Sequence, residues 1–135
     1  MPCLFCKIIA KEIPAEIIFE NEQVLAFLDI APVSEGHTLV IPKTHAKNLS
    51  EGSSEDAEAI MRAVHGIAPT ILRAVGADGY NLAMNHGEVA GQEVMHTHVH
   101  IMPRKQGAPR SYVKLQLSKE EIHVTAEKIR RENKV

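Results

Sequence analysis

His96, His98 and His100 alternate with Thr97, Val99 and Ile101. Successive side chains of a β-strand point to opposite faces, and same-face neighbours lie roughly 6.5–7 Å apart. A strand here sets three imidazoles in one row and three β-formers behind them. Near neutral pH an imidazole can ligate a metal, attack an electrophile or donate to an anion. Three of the chain's eight histidines at alternate positions mark a site better than a solvated strand face. A second set is Cys3-x-x-Cys6 with His45 and His96. Two thiolates and two imidazoles can close a tetrahedral zinc site, although these spacings are not those of a zinc finger. A redox pair is the competing reading, but a thioredoxin-like C-x-x-C follows a strand, and none precedes Cys3. All three alternating histidines could instead hold one catalytic metal whose bound water is the nucleophile.

The elements that must position these groups read as α+β with a largely antiparallel sheet of about five strands. Phe5 to Ala10 forms a short turn or helix that ends at Ile13-Pro14. Ile17–Phe19 and Val24–Asp29 make a hairpin across Asn21-Glu22, and His37–Ile41 is a third strand closed by Pro42. Ser53 caps a long helix with Ala57, Ile60, Met61, Val64, Ile67, Ala68, Ile71, Leu72 and Val75 on its apolar face. Gly66 and Pro69 predict a kink in it, and Gly76 predicts its end. Tyr80–Met84 is a fourth strand, residues 85–91 a polar loop, and Glu93–Met102 the histidine strand. Ser118 with Glu121 forms a capping box, and Leu117 with Ile122 the matching staple. The last helix therefore spans Lys119 to about Glu132 and packs through Ile122, Ala126 and Ile129.

The 135 residues are enough for one core and too few for two ordinary domains, so a single domain is expected. Its motif-bearing part is 3–104, with a C-terminal segment and helix over 105–135. A net charge of −2 argues against a general nucleic-acid binder and leaves Arg104, Lys105 and Arg110 as a local basic stretch. No apolar run is long enough to cross a bilayer, and the first residues do not read as a signal peptide. Two cysteines do not make a disulfide framework, so a reducing, cytoplasmic location is expected.

The run His-Thr-His-Val-His-Ile-Met resembles the histidine triad signature. Further segments fall in the order found in the nucleotide-binding (Hint/Hit) branch of that family: Cys3-Leu-Phe-Cys-Lys-Ile-Ile-Ala, Ala26-Phe-Leu-Asp-Ile, Gly36-His-Thr-Leu-Val-Ile-Pro-Lys-Thr-His45 and Gly91-Gln92. The resemblance covers residues 3 to about 104. It implies a HIT-like fold and a homodimer whose sheets join across the interface. It also implies hydrolysis of nucleoside 5′-phosphoramidates, or related α-phosphate esters and anhydrides, through a nucleotidyl-histidine that releases a nucleoside monophosphate.

By the same resemblance His98 is the nucleophile, and His100 holds a phosphate oxygen or protonates the leaving group. Asn85 and Gln92 contact phosphate, and Asp29 binds ribose. Phe5, Ile8, Phe27 and Ile30 surround a purine, with adenosine and guanosine both tolerated in an apolar slot. Bacterial and archaeal members resemble the Cys3, Cys6, His45 and His96 arrangement as a structural zinc site, with no metal required for the chemistry. Taken alone, Asn85 and Gln92 read as ordinary loop polars, Asp29 as a turn cap and the apolar set as core.

The chain departs from the branch at Glu93, where eukaryotic members commonly carry Ser after Gly-Gln, and in having no C-terminal Trp. The first departure puts the handling of amine leaving groups in doubt, and the segment with Arg104, Lys105 and Arg110 is a candidate to replace the Trp contact, its role open. Two further functions stay open: hydrolysis of dinucleoside polyphosphates, and a zinc-stabilised nucleotide-binding module with little turnover.

Overall fold

The computed structural model describes residues 3–133. Strands β1 (Ile17–Glu20), β2 (Val24–Leu28), β3 (Thr38–Pro42), β4 (Gly79–Ala83) and β5 (Val99–Arg104) form one sheet in the order β1-β2-β3-β5-β4. Every neighbouring pair is antiparallel. Helices α2 (Ser54–Val75) and α3 (Lys119–Glu132) cover one face, and the six-residue α1 (Leu4–Ile9) lies on the other.

The period of two along each strand sorts side chains between these layers. Val24, Ala26, Leu28, Val40, Val99 and Ile101 pack under α2 and α3. Leu25, Phe27, Leu39 and Ile41 point the other way, onto Phe5 and Ile8 of α1. His100 lies between Val99 and Ile101, so it shares the α1 face.

The helix signals are met closely. Ser53 accepts from Asp56 N–H at the start of α2, and Gly76 ends it in the left-handed conformation (φ 70°). Gly66 and Pro69 do not divide α2, and both are exposed, so water can satisfy the carbonyl that Pro69 leaves without its helical donor. Met61, expected on the packing face, is half exposed (50%), Ala57 and Leu72 are partly buried, and Ala59, Ala63 and Thr70 are buried with Ile60, Val64, Ile67, Ala68, Ile71 and Val75. The capping box of Ser118 and Glu121 is formed, and Ile122, Ala126 and Ile129 are buried. No helix among the described residues is long and apolar enough to cross a membrane.

The histidine strand is shorter than its sequence predicts. β5 starts at Val99, so His96 and His98 precede the ladder and only His100 belongs to it. Pro42 ends β3 opposite this stretch and brings no N–H to extend the pairing. Its carbonyl accepts instead from the His96 ring (2.8 Å), and Thr97 N–H turns aside to the Ala46 carbonyl (2.9 Å).

A histidine-lined cavity beside a thiol and imidazole cluster

A cavity of about 470 Å³ opens between α1, the β2–β3 loop and β5. Phe5, Ile8, Ile13 and Phe27 form its apolar end, and Asp29, Asn85, His98 and His100 bring polar groups into it. Few polar groups in a mostly apolar cleft is how small-molecule sites are commonly built.

His98 is oriented by one short bond. Its Nδ1 lies 2.7 Å from the His96 carbonyl, which can only accept, so Nδ1 carries the proton and Nε2 keeps its lone pair. Phe5 meets the ring edge to face at a centroid distance of 5.2 Å, and the His100 ring lies 5.1 Å away.

The orientation of His100 depends on His37, which sequence reasoning did not single out. Val33 N–H donates to His37 Nδ1 (3.1 Å), leaving the His37 proton on Nε2. That Nε2–H donates to His100 Nδ1 (2.9 Å), so the one N–H proton of the neutral His100 ring stands on Nε2. Burial pushes His100 down to about 4, helped by the nearby His37 and His98, so it is neutral at pH 7. Burial also lowers His37, with the Arg104 charge adding to it and Asp29 opposing it. The period that places Leu39 and Ile41 on the cavity face also places His37 there, and it was the available signal.

Asp29 caps the loop after β2, the role it has when read alone, and still lines the cavity. Oδ1 accepts from Ala31 N–H (2.9 Å), and Oδ2 lies 3.6 Å from His37 Nε2. Asn85 donates to the Gly91 carbonyl (3.2 Å) and lines the cavity with the rest of its amide. Gly91 is held at φ 98°, and a Cβ there would stand 3.3 Å from Asn85 Nδ2. Phe5, Ile8 and Phe27 are buried walls, whereas Ile30 is a rim residue, 82% exposed.

Gln92 differs from its expected role as a phosphate contact. It is buried and does not line the cavity. Its amide donates to the carbonyls of Lys47 and Val94, and its oxygen accepts from Gly87 N–H. Both donors are spent on backbone, so Gln92 fastens the loop that carries Asn85. The basic stretch is engaged too. Arg104 holds Asn81 and the Ser111 carbonyl, and Lys105 pairs with Glu35 (3.4 Å).

Behind Phe5, the atoms Cys3 Sγ, Cys6 Sγ, His45 Nδ1 and His96 Nδ1 all lie within 4.8 Å of one another. Since His96 Nε2–H donates to Pro42, its Nδ1 turns a lone pair toward Cys3 Sγ (3.3 Å), Cys6 Sγ (3.6 Å) and His45 Nδ1 (3.2 Å). Zinc–ligand bonds near 2.3 Å to sulfur and 2.0–2.1 Å to nitrogen give tetrahedral edges of about 3.6 Å for S···N and about 3.3 Å for N···N. The donor set and spacing therefore fit zinc, and the His96 bond to a carbonyl is the orienting contact that metal-bound imidazoles ordinarily have. Burial and the neighbouring Cys3 push the Cys6 thiol up in the absence of a cation. A second cluster of Asp29, His37 and His100 is not suited to a metal, because the Val33 bond places the His37 proton on the nitrogen that would have to ligate.

The chain is similar to several known proteins. An uncharacterized HIT-like protein of Methanocaldococcus jannaschii is 49% identical over 107 residues, covering 78% of this chain and 81% of that one. The adenosine 5′-monophosphoramidase of Schizosaccharomyces pombe is 40% identical over 132 residues, 96% of each chain. An adenylylsulfatase of Arabidopsis thaliana is 43% identical over 104 residues, 77% of this chain and 53% of its own. Among solved structures, a hypothetical histidine triad nucleotide-binding protein of Sulfolobus tokodaii superposes with a TM-score of 0.90 at 36% identity, covering 98% and 92% of the two chains. A zinc-bound histidine triad protein of Mycobacterium smegmatis gives 0.81 at 35%, covering 98% and 93%. The HIT-domain model matches residues 10–107, and with these relatives it makes the chain a member of the histidine triad family, in its Hint/Hit branch.

Proposed function

We propose that this protein transfers a nucleoside 5′-monophosphoryl group from phosphoramidates, or related α-phosphate esters and anhydrides, to His98 and then to water. The observation that carries this reading is the His98 tautomer, with Nδ1–H tied to the His96 carbonyl and Nε2 free to attack beside His100. Family membership and hydrolase-named relatives support nucleotide hydrolysis.

A purine fits between Phe5, Ile8 and Phe27, with Ile30 at the rim, and the ribose hydroxyls reach Asp29. The α-phosphate then stands at His98 and His100. His98 Nε2 forms a bond to phosphorus as the bond to the leaving group breaks, and the electron pair departs with the leaving atom. His100, neutral and carrying its proton on Nε2, donates to a phosphate oxygen or the leaving atom, and Asn85 adds a neutral donor. Water then attacks the same phosphorus and restores His98.

Cys3, Cys6, His45 and His96 would hold a structural zinc, which would pin α1 to the triad segment. We further propose a homodimer joined at β4, the edge strand on which Tyr80 and Leu82 are exposed. Both cysteines are free thiols, as a reducing cytoplasm would keep them.

Intact mass after rapid quenching with adenosine 5′-phosphoramidate tests the proposal. An adenylate on the peptide containing His98, lost in His98→Asn, is the expected result. Tight AMP binding with neither adduct nor product would instead support a binding module. AMP release without an adduct, lost on chelation, would support metal-activated water. Comparing the rate on a diadenosine polyphosphate separates the remaining hydrolase reading.

A further inference from the structure

Beyond β5 the chain does not leave the site. Residues 105–117 form an irregular strap: Gln106 N–H donates to Asp78 Oδ2 (2.7 Å) near its start, and further on Arg104 Nη1 donates to the Ser111 carbonyl (2.7 Å) and Leu115 N–H to the Pro32 carbonyl (2.7 Å). Between these anchors Tyr112 and Lys114 line the cavity. The Arg104 guanidinium lies 5.0 Å from the centre of the Tyr112 ring and props it.

The place of the strap along the cavity follows from β5. α1 and Phe5 mark the apolar end, next to His98. From there His100 and Met102 line the cavity, and Arg104 follows on β5 outside its lining, away from α1. Tyr112 stands over Arg104, so the strap walls the end beyond His100. Tyr112 and Lys114 thus stand across the same cavity that holds His98 and His100, away from Phe5.

Lys114 and Arg104 bring positive charge to the strap and its support. Asp29, Glu93 and Lys114 are the charged side chains lining the cavity, so Lys114 supplies its one cation among the described residues. No carboxylate among the described residues lies within ion-pair distance of Lys114 or Arg104, and Arg104 Nη2 is buried without a hydrogen-bond partner. Arg104 is felt as far as His37, whose protonation it opposes.

We propose, resting on the nucleotidyl-transfer reading above, that Tyr112 and Lys114 form a subsite within this chain for anionic leaving groups, such as sulfate, carboxylate or phosphate. When His98 Nε2 bonds to phosphorus, the P–O electron pair passes to the leaving oxygen, which departs as an anion and needs no proton. The Lys114 ammonium meets the charge that develops there. An amine leaving group needs a proton and gains nothing from that cation. The strap thus tilts selectivity toward anhydride-type substrates.

Adenosine 5′-phosphosulfate and adenosine 5′-phosphoramidate share the transferred group and differ only in what leaves. The ratio of their kcat/KM values should fall about tenfold in Lys114→Ala and further in Lys114→Glu, and in the wild type it should fall with added salt. A ratio that moves less than twofold in both variants overturns the subsite. Binding to His98→Asn protein gives a second readout without turnover. There, Lys114→Ala should lower the affinity for ADP relative to AMP, and an unchanged ratio again rejects the subsite. Absence of turnover of both substrates by the wild type rejects the nucleotidyl-transfer reading, and the binding ratio still decides the role of Lys114.

Discussion

The carbonyl of His96 accepts the Nδ1 proton of His98 at 2.7 Å, while the ring of His96 belongs to the thiol and imidazole cluster. One residue thus joins the candidate metal centre to the candidate nucleophile. Phe5, edge-on to both rings, ties α1 to the same junction.

Metal removal should therefore act on stability and on the nucleotide site together. A helix as short as α1 does not hold itself in water, so it depends on Phe5, Ile8 and the pinning of Cys3 and Cys6. Chelation or Cys6→Ser should cost at least about 3 kcal/mol, near 10 °C in Tm, and weaken AMP binding. Native mass spectrometry should show one zinc per chain in the wild type and loss of that mass in Cys6→Ser. Metal-free protein with unchanged Tm and AMP affinity would contradict the coupling.

His37 should matter to the reaction through His100. In His37→Ala the His100 Nδ1 loses its donor, and the ring is free to take the other tautomer. The rate of His98 adenylylation should drop by about 100-fold, within the range for misplaced acid–base groups. His37→Gln retains an N–H donor and should recover part of that loss. Equal losses in both variants would point to packing, not tautomer control.

The contrast between α3 and β5 shows what was legible in the sequence. Ser118, Glu121 and the Ile122, Ala126, Ile129 stripe act over a few residues, so the helix could be read to its ends. The length of β5 depends on its partner, and β3 ends at Pro42, more than fifty positions earlier in the chain. Alternation still placed His98 and His100 on one face, because extended backbone preserves the period even where no ladder forms. Gln92 was misread because nothing in a loop sequence tells an amide that faces ligand from one spent on three backbone groups. His37 was missed for a related reason: its partner lies 63 residues away.

Gln92 and Asn85, adjoining the same loop, should separate cleanly when replaced. Gln92→Ala leaves Gly87 N–H and the Lys47 and Val94 carbonyls without their side-chain partner inside the protein. The expected cost is about 2–4 kcal/mol, seen as a lowered denaturation midpoint. Asn85→Ala gives up one bond to the Gly91 carbonyl, so its midpoint should hardly change while kcat/KM falls about tenfold. The reverse pattern would return Gln92 to the phosphate.

The half-buried, neutral His100 should also make stability depend on pH in a particular direction. Its pKa is about 4 in the folded protein, against about 6.5 for a free histidine. Between those values the unfolded chain binds the proton that the folded chain refuses, so stability rises with pH across this window. His100's contribution is fully present above about pH 6.5 and is lost as the pH falls toward 4. Other groups titrate in the same range, the metal ligands among them, so the wild-type curve alone does not isolate it. His100→Asn cannot be protonated there, and its midpoint should fall less steeply between pH 6.5 and 4. The imidazole carbon shifts of labelled His100 should still report a neutral ring at pH 5. A ring already charged at pH 6, or parallel stability curves for the two proteins, would show that burial beside His37 does not hold His100 neutral.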